Sequence, residues 1–573
     1  MKAIKYLSYA LFCGAALSLG SCADDSVLGF SVDKPEGMDS LEYLNQYNPL
    51  KTYVNRTTDP NFKLGCGVTA SDFPSAALPY RLAVTNFDEV VAGNAMKYAS
   101  CVKDDGSMDF SLVQEFVTAA QDAGVNVYGH CLGWHAQQNL RYLNGLIADR
   151  VISTDPDDIE DIQDGYVDYS TFTSYPYYVM GYTPEFEDGC MVSHYPGDWY
   201  QYFVADGIPT EIGQSYKVTV CMQGSTAGQL NVQFGNWGDG NLLEKTLYFT
   251  DQMQEITIEF DNCPVETSFV VFQPGTYEGD IKIKWLKVSH ASPNVQPLTP
   301  EEKKDTLSMA MANWIDGMME ATHGAVTAWD AINEAISGGD NDGDGYYDLQ
   351  HAATTDPTDA ANNFYWQDYL GDLDYVRYVI ADARKSFAAH GGDPSQLKLF
   401  INDYNLESTW DDNMKAKSMV HWIQQWESDG VTHIDGIGTQ MHISYNLDSI
   451  AQKRQEQAVD SMFAILARSG KLIRVSELDM GINDVNGQSI PTTQVTVAQQ
   501  KKMAEFYTYI INSYFRYVPA AQRYGITQWC ITDSPADSGW RPGEPVGLWN
   551  ESYQRKPQYE GYVKGLQSVQ VTN

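Results

Sequence analysis

Eight short apolar segments, separated by amphipathic stretches, set the strongest limit on how this chain can fold. They are Lys63–Val68, Ala83–Val91, Val125–Cys131, Val326–Asn333, Leu397–Asn402, Ile434–Gln440, Lys471–Glu477 and Gly525–Ile531. Between them lie helical patterns such as Leu112–Ala123, Tyr375–Ala389, Met414–Ser428, Gln452–Ala467 and Gln499–Tyr514. Strand-sized runs alternating with helices read as βα units, whose strands pair in parallel. Eight such units close a sheet on itself and leave no edge strand. The expected fold class is therefore α/β, a (β/α)8 TIM barrel.

The alternation stops once. From 151 to 293 the segments WYQYFVAD, SYKVTVCMQG, LNVQFGNW, QEITIEFDN, TSFVVFQPG and IKIKWLKVS alternate with period two and show no strong helical pattern. Closely spaced turn residues divide them, which predicts a β-sandwich. The 573 residues then divide into a first barrel part (61–150), an inserted sandwich (151–293) and a second barrel part (294–573). Residues 1–21 read as a signal peptide and 22–60 as a linker. The insert follows the third strand, in a loop on the face where such barrels carry their chemistry.

Charge narrows the partners. Against 75 Asp and Glu stand 37 Lys and Arg, a net charge of −38, which disfavours nucleic acid and acidic membrane surfaces. Uncharged sugars meet no such penalty, and the 37 Tyr and 13 Trp offer faces for sugar rings, although core packing explains most of them equally well. Lys2 and Lys5 precede an apolar run too short to span a membrane, the pattern of a secretory signal. Leu19-Gly20-Ser21-Cys22 resembles a lipoprotein box, and Asp24 and Asp25 resemble the acidic export signal of Bacteroidetes-type lipoproteins. This implies lipidation at Cys22 and an outer-membrane, surface-exposed lipoprotein that meets the membrane through its lipid alone; a plain secreted protein is the alternative. Apart from Cys13 and Cys22, seven cysteines without a Cys-x-x-Cys read as single buried thiols.

The segment AWDAINEAISGG ends an apolar run in Asn333-Glu334 and then breaks into glycine. A carboxyl at the tip of a buried strand is costly unless partnered or neutralised, and such tips are where chemistry is found. Glu477, in RVSELDMGI, ends the seventh expected strand and so reaches the same barrel mouth. With these run GHCLGWHAQ (129–137), INDYNLE (401–407), IDGIGTQMHI (434–443) and QWCITDSPADSGWRP (528–542). In this order the motifs resemble glycoside hydrolase family 10, the endo-β-1,4-xylanases, over 61–150 and 298–562.

The resemblance implies a retaining endo-β-1,4-xylanase that acts on xylan or a related plant β-glycan by double displacement, with no cofactor and no metal. Glu334 would be the acid/base and Glu477 the nucleophile, with carboxyls about 5–5.5 Å apart. Gln440 and His442 would reach Glu477, Asp479 would orient His442, and ionised Glu477 would keep Glu334 protonated. Asn333 would hold the sugar 2-hydroxyl. Asn94, Lys97, His130 and Tyr404 would bind sugar; Trp134, with Gln137, would join them, although packing explains a Trp there equally well. Trp529 and Trp540 would stack on it. His130 taken alone reads as a core histidine. Gly93 and Tyr98 stand where the family pattern has Glu and Trp, which predicts a weaker, more open subsite.

The insert resembles carbohydrate-binding modules of the jelly-roll kind in strand pattern and in GDIKIKWLKVS, which implies a jelly-roll sandwich. Trp199, Tyr200, Tyr202 and Trp237 are platform candidates, while Trp199 and Trp285 read equally well as core. DNDGDGYYD spaces Asp340, Asp342 and Asp344 like a calcium loop, but His351 takes the twelfth position, so a solvated acidic loop is expected. Two rival functions remain open: hydrolysis of another β-1,4-glycan, and a non-catalytic surface glycan-binding lipoprotein.

Overall fold

A computed structural model describes residues 41–153, 160–179, 181–197, 201–292 and 294–568. The signal segment, Cys22, Asp24, Asp25, Trp199 and Tyr200 lie outside the described residues. The chain forms two compact units, one up to Ile147 and again from Pro300, the other Ala148–Thr299.

The first unit is built on strands β1 (Lys63–Gly67), β2 (Glu89–Val91), β3 (Asn126–Gly133), β4 (Ala328–Asn333), β5 (Lys398–Asp403), β6 (Gly436–Thr439), β7 (Leu472–Asn483) and β8 (Arg523–Gln528). Every neighbouring pair is parallel, and β1 pairs with both β2 and β8, so the sheet closes. A helix follows each strand in the chain: Leu78–Asn86, Ser111–Asp122, Pro300–Thr322, Asp374–Ala389, Met414–Trp426, Ser449–Ala467, Val497–Tyr517 and Pro557–Ser568. The fold is a (β/α)8 barrel. The third unit alone is divided, its strand and helix separated in sequence by the insert.

Two expectations need correction here. Ala83 belongs to a helix, not to the second strand, which is only Glu89–Val91. Pro79 sits in the first turn, where its missing N–H costs nothing, and this sets the helix that the β-like run LAVT obscures. The segment 41–60, expected as linker, packs on the barrel: Leu44, Leu50 and Val54 are buried, Tyr43 donates to Glu560 at 2.7 Å and Arg555 to the Tyr47 carbonyl at 2.7 Å.

Inside the barrel, charge replaces part of the usual apolar filling. The Arg474 guanidinium lies 3.3 Å from the Tyr128 ring centre, 3.8 Å from Glu89 and 4.0 Å from Asp330. Arg474, Glu89 and Asp330 are all buried, and a buried charge persists only when paired in this way. Asp330 also reaches up to the cleft, where it holds His130.

The second unit is a sandwich of two antiparallel sheets. Four strands run in the order Leu242–Phe249, Gly228–Gly235, Thr267–Gln273, Tyr202–Pro209. The larger sheet runs Gln254–Phe260, Tyr216–Gly224, Glu278–Ser292, Cys190–Pro196, Glu185–Glu187, with Glu160–Asp168 paired to the far half of the long Glu278–Ser292 strand. Val218, Val220, Val232, Phe234, Val270, Phe272, Ile281 and Leu286 form its core. Tyr202 belongs to that core and is no platform, while Trp285 lies outside it, half-buried against Tyr166. A two-stranded clip, Arg150–Ser153 against Asn294–Gln296, joins the ends of the insert. Cys66, Cys101, Cys131, Cys190, Cys221 and Cys263 are buried single thiols.

Candidate active site

At the ends of the barrel strands lies a cleft of about 820 Å³ lined by Glu334 and Glu477. Asn94, Lys97, His130, Trp134, Asn333, Gln440, His442, Trp529 and Trp540 line the same cleft. Tyr404 is not among its lining residues: its ring lies under Lys415 Nζ, 3.5 Å from the ring centre, and Lys415 is paired with Asp403 at 2.7 Å. Tyr98 is a core residue, tilted against Trp314 and edge-on to Trp366.

Glu334 follows β4 in a left-handed turn, φ +55°, anchored by its N–H donating to the Asn402 carbonyl at 2.8 Å. A side chain in this conformation is strained, and such strain is held where surrounding contacts fix the position. Here three donors do so: Gln440 Nε2 at 2.7 Å and Asn333 Nδ2 at 3.1 Å to Oε1, and Trp134 Nε1 at 3.0 Å to Oε2. Burial raises the carboxyl above its ordinary range; Gln440 and Trp134 pull it back, and the Asp403 and Glu477 charges push it up again. The expected influence of Glu477 is present, but burial leads and Asp403 comes before it.

Glu477 sits in β7 and is 5% exposed. Its Oε1 accepts from Asn402 Nδ2 at 2.9 Å, and His442 Nε2 stands 3.4 Å from Oε2. Burial alone would raise this carboxyl, yet the His442 hydrogen bond and the fields of His130, His442 and Lys97 hold it at about 2. His442 is itself braced: Nδ1 lies 3.0 Å from Asp479, which accepts from Trp540 Nε1 at 2.8 Å and pairs with Arg541 at 2.6 Å. Burial opposes charge on His442, but Asp479 and Glu477 raise its pKa to about 10. The imidazole is therefore a cation wedged between two carboxylates.

Gln440 serves a different carboxyl from the one expected. It donates to Glu334 and, at 3.3 Å, to Asn333 Oδ1, not to Glu477. Residues two apart on a strand share a face, but β6 stops at Thr439 and Met441 adopts φ +60°, so Gln440 and His442 diverge. The donor at Glu477 is Asn402, a residue that sequence reasoning left unassigned although INDYNLE contained it. Asn402 Nδ2 also donates to Asn333 Oδ1 at 2.9 Å and thus ties the two carboxyl sites together. Asp330, likewise unassigned, holds His130 Nδ1 at 2.8 Å.

Toward the far side, Lys97 Nζ donates to Asn94 at 2.9 Å and lies 4.8 Å from the Trp134 ring centre. Gly93 lines the cleft with φ +57°, and a Cβ there would stand 3.2 Å from the Val68 carbonyl oxygen. Glycine is what this backbone requires. Asp340, Asp342 and Asp348 bring carboxylate oxygens within 4.8 Å of one another, so Asp348 takes the place expected for Asp344. Backbone N–H groups already fill this loop's carboxylates, as at Gly343 and Gly345 on Asp340.

The cleft therefore combines a carboxyl whose proton affinity is raised with one whose proton affinity is lowered, the division that acid-assisted displacement at a glycosidic carbon needs. The model of glycosyl hydrolase family 10 matches residues 54–153 and 285–565. Endo-1,4-beta-xylanase A of Cellvibrio japonicus is 30% identical over 269 residues, 44% of this chain and 39% of that protein. The exoglucanase XynX of Acetivibrio thermocellus is 28% identical over 242 residues, 41% of this chain and 17% of that protein. The chain thus spans well under half the length of these relatives. A GH10 structure from Paenibacillus barcinonensis superposes with a TM-score of 0.51 at 18% identity, over 91% of this chain and 99% of that one, and shares its fold.

Proposed function

The chain belongs to glycosyl hydrolase family 10, and from that premise we propose that it is a retaining endo-β-1,4-xylanase. Glu477 attacks the anomeric carbon while Glu334 gives its proton to the departing glycosidic oxygen. Water, deprotonated by Glu334, then releases the sugar from Glu477. The observation that carries this reading is two carboxyls in one cleft with opposed surroundings: Glu334, buried among the neutral donors Gln440, Asn333 and Trp134, is shifted up, and Glu477, beside His442 and Asn402, is shifted down to about 2. Asn333 has its Oδ1 held by Asn402 and Gln440, and its Nδ2, which gives one hydrogen to Glu334, has a second for a sugar 2-hydroxyl. Trp529 and Trp540 offer rings for the sugars on either side.

Reducing-sugar release from xylan, from mixed-linkage glucan and from carboxymethyl cellulose tests the reading. Release from xylan first supports it, release from glucan alone assigns the carboxylates to another β-1,4-glycan, and release from none makes the barrel a binding protein. The inserted sandwich acts as a glycan-binding module, and Cys22 carries a lipid that holds the enzyme at the cell surface. Cys22→Ala is expected to move the protein from the membrane fraction to the soluble one.

A further inference from the structure

The two outer faces of the inserted sandwich differ in chemistry. On the larger sheet the positions between core residues include Lys217, Lys282, Lys284, Lys287, Glu255 and Glu259, a solvated, charged surface. The four-stranded sheet shows almost none of this. Phe203, Phe269 and Val271 form a buried cluster separate from the sandwich core, covered by Tyr175, Tyr177 and Leu242, so that the exposed ring at this end of the face is Trp237. Trp237, 50% exposed, leans on it with ring centres 5.2 Å from Phe203 and 4.8 Å from Phe269.

Beside this aromatic end runs a row of amides. Gln233 Oε1 accepts from Trp237 Nε1 at 3.4 Å, and Gln233 Nε2 donates to Glu244 at 2.7 Å. Asn231 donates to Glu244 at 2.9 Å and to Gln273 at 3.1 Å, and Gln273 donates to Gln201 at 2.8 Å. Each side-chain amide has two donors and an acceptor, so the row keeps hydrogen-bonding capacity beyond these contacts. Gln233 is 6% exposed, a burial that amides tolerate only where a fixed network is being held. A face needed only for solubility would resemble the other sheet. Aromatic rings beside oriented neutral amides suit a ligand that has apolar ring faces and many hydroxyls but no charge.

We propose that the outer face of the four-stranded sheet, from Trp237 along Gln233, Asn231 and Gln273, is a binding site for an uncharged stretch of xylan backbone. The site rests on the xylanase reading for the identity of its ligand, and on the sandwich alone for its position. One sugar stacks on Trp237, and the amide row takes the hydroxyls of the next units. Binding here raises the concentration of polymer near the cleft without taking part in the chemistry.

The test is affinity electrophoresis of the full chain, made inactive by Glu477→Ala, through gels containing a soluble glucuronoxylan. Trp237→Ala is expected to weaken retention about fivefold or more, because it removes the stacking face. Gln273→Ala, at a partly exposed position that leaves the core intact, is expected to weaken it less but measurably. Lys284→Ala, on the opposite sheet, should match the parent. If the parent is retained and both Trp237→Ala and Gln273→Ala travel with it, the assigned face is wrong while the xylanase reading stands. If the parent is not retained while the active enzyme releases reducing sugar from xylan, the sheet face binds no xylan and the xylanase reading stands; if the active enzyme releases none, that reading fails and the ligand assigned here fails with it.

Discussion

The barrel cleft and the outer sheet face of the insert both set indole rings beside amides, Trp237 alone on the sheet face, yet only one gathers charge. In the cleft, Glu334, Glu477, His442, Asp479 and Arg541 are packed so that each alters the protonation of its neighbour. On the sheet face the polar groups are amides joined to a single carboxylate, Glu244. The contrast follows from burial. Reaction needs carboxyls whose proton affinities are forced apart, which only a desolvated site with fixed counter-charges achieves. Holding a neutral polymer needs shape and hydrogen bonds, which a half-exposed sheet supplies.

The strongest way to break this contrast is to remove the carboxyls. Glu477→Ala should abolish turnover on every substrate. Glu334→Ala should lose about 10²–10⁴-fold on xylan while sparing the first step on aryl glycosides with good leaving groups, which need little proton donation. Azide should restore turnover to Glu334→Ala and give a β-glycosyl azide; equal loss on all substrates in both variants, without rescue, would overturn the assignment of roles.

Next in size is Asn402→Ala. Its amide touches Glu477 and Asn333 together, and losing a hydrogen bond to a charged group costs about 1.5–3 kcal/mol. A fall in kcat of about 10- to 100-fold, with thermal melting checked alongside, is expected. Wild-type kcat would place Asn402 outside the working network.

Smaller, and read as a shift, is Asp479→Asn. With Glu477 at about 2, the wild-type acidic limb of kcat/KM lies well below the ordinary carboxylate range. Removing the Asp479 charge lowers the pKa of His442, weakens its hold on Glu477 and raises the pKa of Glu477. The acidic limb should therefore move to higher pH. An unmoved limb means that His442 is not the group holding Glu477 ionised.

The smallest effect is expected where the sheet face is taken away altogether. Replacing 148–299 by a short linker should leave xylotetraose turnover within a few-fold of wild type and reduce activity on polymeric xylan more, since the insert acts through local concentration. A large loss on xylotetraose from a protein with an intact melting transition would make the insert part of the chemistry.

The barrel was legible because its constraints are severe. Glu334 after a buried run, and Glu477 at the matching depth of another, have few structural uses, and parallel strands announce themselves as apolar runs. What escaped was direction. Gln440 and His442 looked equivalent by period two until the turn at Met441 sent them to different carboxyls. Asn402 looked like filler inside a strand, and Tyr404 looked like cleft lining when its ring faces Lys415. In the insert the strands were legible but the phase was not. In WYQYFVAD the core takes Tyr202 and leaves Phe203 outside, a choice that alternation alone does not make.

The clip between Arg150–Ser153 and Asn294–Gln296 bears on how such a chain can fold at all. A helix that must follow its strand across 166 intervening residues (134 to 299) faces the entropy of closing a long loop. Pinning the two ends of the insert to each other shortens the loop that the barrel has to close to roughly twenty residues, worth about 2 kcal/mol. A sandwich that folds first thus presents itself to the barrel as a short connection, and the divided third βα unit closes over an effective loop far shorter than its separation in sequence.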